Sequence, residues 1–391
     1  MSDPVPEAAA WARSWLFDTA LPLWAEAGVA PVGFHDRLDH AGRPAGAVLR
    51  LRVQARQTFV FAEAGRAGWA GPWRERVDHG ARFLLGCTED GRRLAPSRYR
   101  LDGTPEDGPA DLYDQAFALL GFAAAFEALQ DPRYEASALR LLEQLKAQLG
   151  RPDGGFEEGG PPRPPLRSNP HMHLFEAALA WVERSVDDRW RAMADALDHL
   201  ARTRFIAADS GRLLENFQAD WTPAAGDAGR VVEPGHQLEW AWLLLRNARL
   251  GGGSDLAAAR HMAVQAREGG VDPERNVAIN EQWLDGTPKD RRARLWPQTE
   301  RLRTALALVE LDGGESLGWR DEITAAVDGL RQFLDKPGPG LWRDSMDETG
   351  RFDDGPTSAS SLYHIVGALL ALASADRPGS RSQPRTSSEP G

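Results

Sequence analysis

Four histidines stand where loop-like sequence gives way to apolar sequence of helical period: His171 and His173 in NPHMHLFEA, His236 in EPGHQLEWAWLLLR, and His364 in SLYHIVGALL. Two are followed one helical turn later by a carboxylate, His173 by Glu176 and His236 by Glu239, which puts each pair on one helix face. Imidazoles are the side chains best matched to moving protons near neutral pH. A glutamate on the second ring nitrogen orients the ring and stabilises its charged form. At a helix N-terminus the positive end of the dipole opposes protonation, so these histidines are expected to be neutral and ready to act as bases. For any one of them a core histidine bonded to a carbonyl is the competing reading; their recurrence is what points to chemistry.

Metal binding is the second reading of the same residues. Helical ligand pairs come as His-x-x-x-His or Glu-x-x-His with partners on facing helices. The two histidines of HMH would lie about 200° apart on a helix and could not readily share an ion, so no metal is expected. In RLRVQARQTFVFAEA, Arg52 and Arg56 lie one turn apart on a segment that buries Val53, Phe59, Val60 and Phe61. Arg52 also reads as an ordinary surface cation. Arg56, between Gln54 and Gln57 in an apolar helix, needs a partner or a ligand and is suited to stabilising an oxyanion. Most of the fourteen tryptophans must be core, but an indole such as Trp296 in LWPQTER is a usual platform for a sugar ring. Carboxylate pairs for glycoside hydrolysis remain open, with Asp111, Asp114 and Glu239 as candidates. The loop arginines Arg98, Arg163 and Arg167 could bind a phosphosugar, though loop arginines are usually only solvated. The chain has no phosphate loop, dinucleotide glycine fingerprint or Gly-x-Ser-x-Gly elbow.

Positioning these groups falls to about a dozen segments of period near 3.6, at approximately 7–27, 48–66, 70–88, 110–130, 134–149, 171–185, 188–205, 235–250, 255–268, 292–312, 319–335 and 358–374. Between them GRRLAPSRYRLDG, GRLLENFQADWTP and GLWRDSMDETGRFDDG carry turn punctuation and read as loops or short β-hairpins. The expected class is all-α with hairpin excursions. HLFEAALAWV and HQLEWAWLLL echo each other, as helices facing a shared centre would. A ring of helix pairs places such mouths side by side, and superhelical stacking of helix pairs is the alternative. No Pro/Gly/Ser-rich linker divides the helical body, so residues 1–375 are expected to form one domain. The loop 154–170 is suited to covering a site, and the tail 376–391, almost without apolar residues, is expected to be disordered.

Of 391 residues, 42% are hydrophobic and 26% charged, ordinary globular values that allow a large core. A net charge of −11 without a basic run argues against a nucleic-acid or anionic-membrane partner. The single cysteine, Cys87, permits no internal disulfide and reads as a small core residue of a protein in a reducing compartment. No signal peptide is read at the N-terminus, and no apolar segment approaches the roughly 20 residues of a membrane span. A cytoplasmic protein is expected.

Taken together, QARQTFVFAEA (54–64), DLYDQAFALLGFA (111–123), NPHMHLFEA (169–177), EPGHQLEWAWLL (233–244), LWPQTER (295–301) and SLYHIVGAL (361–369) resemble the N-acylglucosamine 2-epimerase family in order and spacing. The match spans nearly the whole chain. The resemblance implies an (α/α)6 barrel and a sugar isomerase or 2-epimerase that needs no metal or redox cofactor. It implies that Arg56, His173, His236, Glu239 and His364 line the pocket. In that scheme His364 removes the C2 proton of the open-chain sugar to leave a cis-enediolate, and His236, supported by Glu239, is the partner acid. Arg56 binds the enediolate oxygen, His173 the sugar hydroxyls, Trp296 forms a pocket wall and Glu300 gives further support; Glu176 and Arg52 are taken as additional substrate-binding candidates. The favoured reaction is D-mannose to D-fructose. The alternatives are 2-epimerisation of mannose/glucose or N-acylglucosamine/N-acylmannosamine by the same residues, and a helical barrel that only binds another protein. The expected partner is a small sugar, and the expected assembly a monomer or homodimer.

Overall fold

The structure, a computed structural model, describes residues 5–88, 93–106, 108–311, 318–335 and 337–375. Within them the chain is mostly helical: α1 Val5–Ser14, α2 Leu21–Glu26, α3 Leu51–Arg66, α4 Trp73–Thr88, α5 Leu112–Leu129, α6 Pro132–Leu149, α7 Ser168–Val182, α8 Asp188–Leu200, α9 Pro234–Arg249, α10 Leu256–Gly270, α11 Leu295–Leu311, α12 Trp319–Leu334 and α13 Ala359–Ala375. A π-helical turn, Trp15–Ala20, joins α1 to α2, and another, Ala201–Phe205, ends α8, so two of the expected long helices change winding part-way. The expected starts at 48 and 292 are too early, because Val48–Arg50 and Ala293–Arg294 are strands. The tail 376–391 lies outside the described residues.

Two kinds of helix follow from the sequence. α3, α5, α7, α9, α11 and α13 are buried round most of their circumference; α5 buries every residue from Leu112 to Ala125 except Tyr113. The others are one-sided, as in α6, where buried Tyr134, Ala138, Leu141, Leu142, Leu145 and Leu149 recur every three or four residues. The six inner helices pack in chain order, α3 on α5, α5 on α7, and so on to α11 on α13, and α13 packs on α3. α4, α6, α8, α10 and α12 lie against them from outside, and α1 lies against α13. Gly121 permits the close approach of α5 to α3, since a Cβ there would stand 3.0 Å from Ala55 Cα. By length and composition α5 is apolar enough to cross a membrane, contrary to the sequence expectation. Its apolar surface is instead covered by α3 and α7. A single hydrophobic cluster runs from Ala12 to Leu372.

The expected hairpins are only partly so, because their strands pair with neighbouring loops. Val48–Arg50, leading into α3, pairs antiparallel with Arg98–Arg100 from the loop before α5. In the same way Leu166–Arg167 pairs with Asn216–Phe217, Val231–Val232 with Glu281–Trp283, and Ala293–Arg294 with Ser345–Met346. Thr357–Ser358, leading into α13, pairs with Arg37–Leu38 from the loop before α3. Each short ladder thus ties the entrance of one inner helix to the loop that precedes the next, and fixes the heights of the helix N-termini relative to one another.

Candidate active site

That common height produces a layered site. The fourth residues of five inner helices are Gln54, Gln115, His171, Gln237 and Gln298. Each bonds the backbone of the loop before its own helix: Gln54 at Phe34, Gln115 at Ala95, His171 at Phe156, Gln237 at Leu213 and Gln298 at Ala278. The sixth residues of the six inner helices are Arg56, Phe117, His173, Glu239, Glu300 and His364. Two positions on a helix differ by about 200°, so the fourth residue faces outward to its loop while the sixth faces the centre. His171 is therefore the structural histidine of the HMH pair; Arg167 O accepts from its Nδ1 at 2.8 Å, and burial pushes its pKa down to about 4.

A pocket of about 220 Å³ opens at the N-terminal ends of the inner helices, lined by Arg56, Tyr113, Asn169, His173, Glu233, His236, Glu239, Arg294, Trp296, Ser360, Ser361 and His364. Trp296 forms a wall between two histidines, its ring centroid 5.0 Å from that of His236 and 5.7 Å from that of His364. Gly235 makes room for it, since a Cβ there would lie 2.6 Å from the indole. Arg56 lies over Phe117 at 4.0 Å, donates to Tyr113 Oη at 2.7 Å and to Ser360, and keeps its Nε without a partner. Asn169 Oδ1 and Glu239 Oε1 are likewise buried without a partner. Three unpaired polar atoms in so small a space call for a polar ligand.

The histidines are held through Nδ1 by carboxylates, which leaves Nε2 for the pocket. His364 donates to Glu300 Oε1 at 2.8 Å, His236 to Glu215 Oε2 at 2.9 Å, and His173 to Glu176 Oε2 at 3.3 Å. Their charge states differ. Burial holds His364 below the usual imidazole range, reinforced by Arg56 and Arg303 and only partly offset by Glu300. Burial opposes a charged His236 too, but Glu215 and Glu233 together outweigh it and raise its pKa. Burial takes His173 down to about 4 against the pull of Glu176. Glu239 is pushed well above the carboxylate range by burial and by Glu300 and Glu176.

Several expectations need correction. Glu239 does not hold His236; it stands 3.8 Å from His173 Nδ1, while Glu215, on the loop GRLLENFQADWTP, takes the supporting place, with Glu233 3.7 Å away. His236 is not depressed as its place at a helix N-terminus suggested, because Glu215 and Glu233 raise its pKa against burial. Arg52 is outside the pocket lining and pairs with buried Asp114 at 3.4 Å. Glu176 and Glu300 stand behind His173 and His364 rather than in the lining. Asp111 caps α5 by accepting from Asp114 N at 2.7 Å, which removes Asp111 and Asp114 as a glycosidase pair. Arg98 and Arg167 are paired with Glu106 and Glu158. Burial pushes the Cys87 thiol up to about 12, so it is no nucleophile. Three groups, His173–Glu176–Glu239, Glu215–Glu233–His236 and Glu239–Glu300–His364, bring ligand atoms close enough for a metal ion. In each, the histidine Nδ1 already donates to a carboxylate, so an ion bound through Nδ1 would have to displace that bond. Sequence reasoning missed Tyr113, Asn169, Ser360, Glu215 and Glu233. The second position of the inner helices could have indicated the first three, since Tyr113, Asn169, Trp296 and Ser360 all occupy it.

The family model of N-acylglucosamine 2-epimerase matches residues 33–368. The chain belongs to this family. Its members are sugar isomerases and epimerases, enzymes acting on carbohydrates. The chain is 42% identical over 366 residues to a mannose-6-phosphate isomerase of Rhizobium meliloti, covering 92% of this chain and 95% of that one. It is 29% identical to a D-mannose isomerase of Thermobifida fusca, with 92% and 95% covered. A crystal structure of a D-mannose isomerase superposes with a TM-score of 0.84 at 19% identity, covering 93% of this chain and 97% of that one.

Proposed function

We propose that this N-acylglucosamine 2-epimerase family protein is an aldose–ketose isomerase converting D-mannose to D-fructose, on an (α/α)6 barrel formed by the inner and outer helices. The observation that carries the reading is the pair of oppositely poised histidines on the two sides of Trp296. Two titratable groups whose surroundings push their pKa values apart are a matched acid and base. Protonated His236 gives its proton to the ring oxygen as the sugar opens. Neutral His364 removes the C2 proton and leaves a cis-enediolate, whose charge Arg56 stabilises. Neutral Glu239 and His173 bind hydroxyls, and Trp296 packs on the carbon skeleton. The enediolate's O2 proton passes to O1 and His364 returns its proton to C1, which completes the ketose; delivery of a proton to C2 from the opposite face, by His236, would give the 2-epimer.

Charge at the mouth favours a free sugar over a phosphorylated one. Arg294 is paired with Glu233 at 2.6 Å and Arg292 with Asp290 at 2.7 Å. The adjoining depression presents five carboxylates against three arginines, a poor setting for a phosphate dianion. The deciding experiment is proton NMR of the enzyme in deuterated buffer with D-mannose and, in parallel, D-mannose 6-phosphate. Fructose deuterated at C1 from free mannose is expected. Turnover of the phosphorylated sugar alone overturns the substrate, and glucose labelled at C2 makes the enzyme a 2-epimerase.

A further inference from the structure

We infer that Arg303, one turn beyond Glu300 on α11 and outside the substrate pocket, is a positioning residue that holds the carboxylates behind two of the three pocket histidines. The inference rests on the proton-transfer reading above. Arg303 is 6% exposed. Its Nη1 donates to Glu300 Oε2 at 3.0 Å and to Oε1 at 3.2 Å, and its Nη2 lies 3.9 Å from Glu176 Oε1. Glu300 holds His364 and Glu176 holds His173, and Tyr363 also donates to Glu176. The guanidinium is fixed from two other directions: it stacks on Trp242 at 3.6 Å, and Gly367 of α13 leaves the space it fills, since a Cβ there would lie 3.4 Å from Cζ.

The buried charges explain why a cation is needed there. Glu176, Glu239 and Glu300 crowd one layer, and Arg56 and Arg303 are the arginines that face them. Arg303, with the histidines, holds Glu176 and Glu300 below the usual carboxylate range against burial, while burial and these two carboxylates push Glu239 above it. Without Arg303 the carboxylate behind His364 loses its main counter-charge and competes for a proton with the histidine it should orient. Facing His364 are Glu300 and Arg303 from α11, Glu239 from α9, His173 from α7 with Glu176 behind it, Arg56 from α3, and its own neighbour Tyr363, with His236 of α9 across Trp296; α1 adds only exposed Glu7 and Arg13. Beyond Arg303, at the C-terminal ends of the inner helices, lies a separate cavity of about 530 Å³. Water from it can hydrate a smaller polar side chain at position 303, so a substitution need not collapse the core.

The test compares Arg303→Gln, which removes the charge, with Arg303→Lys, which keeps it. The His364 imidazole is titrated by NMR in the full chain, its resonance assigned by its loss in His364→Gln. Arg303→Gln is expected to raise the His364 midpoint by about one unit, which is tenfold in its unprotonated fraction below the midpoint. Its kcat at pH 6 should fall with little change in KM. Arg303→Lys is expected to restore the midpoint but only part of kcat, because one ammonium cannot face Glu300 and Glu176 together as Nη1 and Nη2 do. Equal midpoints in wild type, Arg303→Gln and Arg303→Lys would overturn the inference, even if both variants lose thermal stability. Since the titration needs no substrate, a failure to turn over mannose would count against the proposed reaction and leave this result standing.

Discussion

His236 donates to Glu215 at 2.9 Å and His364 donates to Glu300 at 2.8 Å, two bonds of nearly equal length on histidines whose pKa values are pushed in opposite directions. The difference lies one step further out. Behind Glu300 stands Arg303, which absorbs the carboxylate's charge, whereas Glu215 is joined by a second carboxylate, Glu233. The same hydrogen bond thus accompanies a raised pKa on α9 and a lowered one on α13, the difference on which the proposed acid and base roles rest.

The pH profile should show this separation. His364 is depressed below the ordinary imidazole value of 6.5, so the acid limb of kcat/KM is expected below pH 6.5. His236 is raised, so its acid form persists above that value and the basic limb lies above pH 6.5. Activity should form a plateau around neutrality. An acid limb above pH 7 in initial-rate measurements would reverse the two roles.

Glu215→Gln should separate support of His236 from support by Glu239. With one carboxylate gone, the His236 pKa falls, its acid form is lost at lower pH, and the basic limb moves toward neutrality. The loss in kcat at pH 8 is expected to be about tenfold for each unit of displacement. Glu239→Gln leaves both partners of His236 in place and should not move that limb. A shift in the limb with Glu239→Gln and none with Glu215→Gln would restore the pairing that the sequence suggested.

The helices were legible because burial writes its period directly into the chain: α6 shows a stripe and α5 an unbroken apolar run. The layered site was half legible. Gln54 and Arg56, Gln115 and Phe117, His171 and His173, Gln237 and Glu239, and Gln298 and Glu300 repeat one pattern, an outward loop anchor followed two residues later by an inward group. Seen as a register, it separates structural His171 from His173. Glu215 was not legible, since it lies 21 residues before His236 and reaches it only through the pairing of Leu166–Arg167 with Asn216–Phe217. The orientation of Arg52 was hidden for a related reason: Asp114, its partner, is 62 residues away on another helix.

Arg52→Ala is expected to leave kcat and KM for the sugar within about twofold while lowering stability by about 1 kcal/mol, since Asp114 loses the guanidinium but keeps the bond from the backbone N–H of residue 52. The loss should depend on pH. Burial, with Asp111 nearby, lifts the Asp114 pKa to about 7 despite Arg52. The folded state therefore keeps a proton that the unfolded chain releases near pH 4, and this group's contribution to stability falls as pH rises from about 4 to 7. Removing Arg52, which lowers the Asp114 pKa, extends that fall to higher pH. Thermal denaturation at pH 5 and pH 8 checks it: an equal loss at both would mean that Arg52 contributes packing alone.

Gly235→Ala tests whether Trp296 sets the geometry of the histidine pair. The new methyl would lie 2.6 Å from the indole and 3.0 Å from Pro297 Cβ, far inside contact distance, so the ring must move. The ring is also what stands between His236 and His364. Overpacking of this kind costs about 1–3 kcal/mol, which a core of this size tolerates. Displacing the wall on which the sugar packs should lower kcat/KM by tenfold or more, since misplacement of about 1 Å at a reacting centre is worth up to about a hundredfold. If Trp296→Phe is combined with Gly235→Ala, the smaller ring frees the space and activity should partly return. A double variant no better than Gly235→Ala alone would mean that the methyl acts through the α9 backbone and His236, not through the indole.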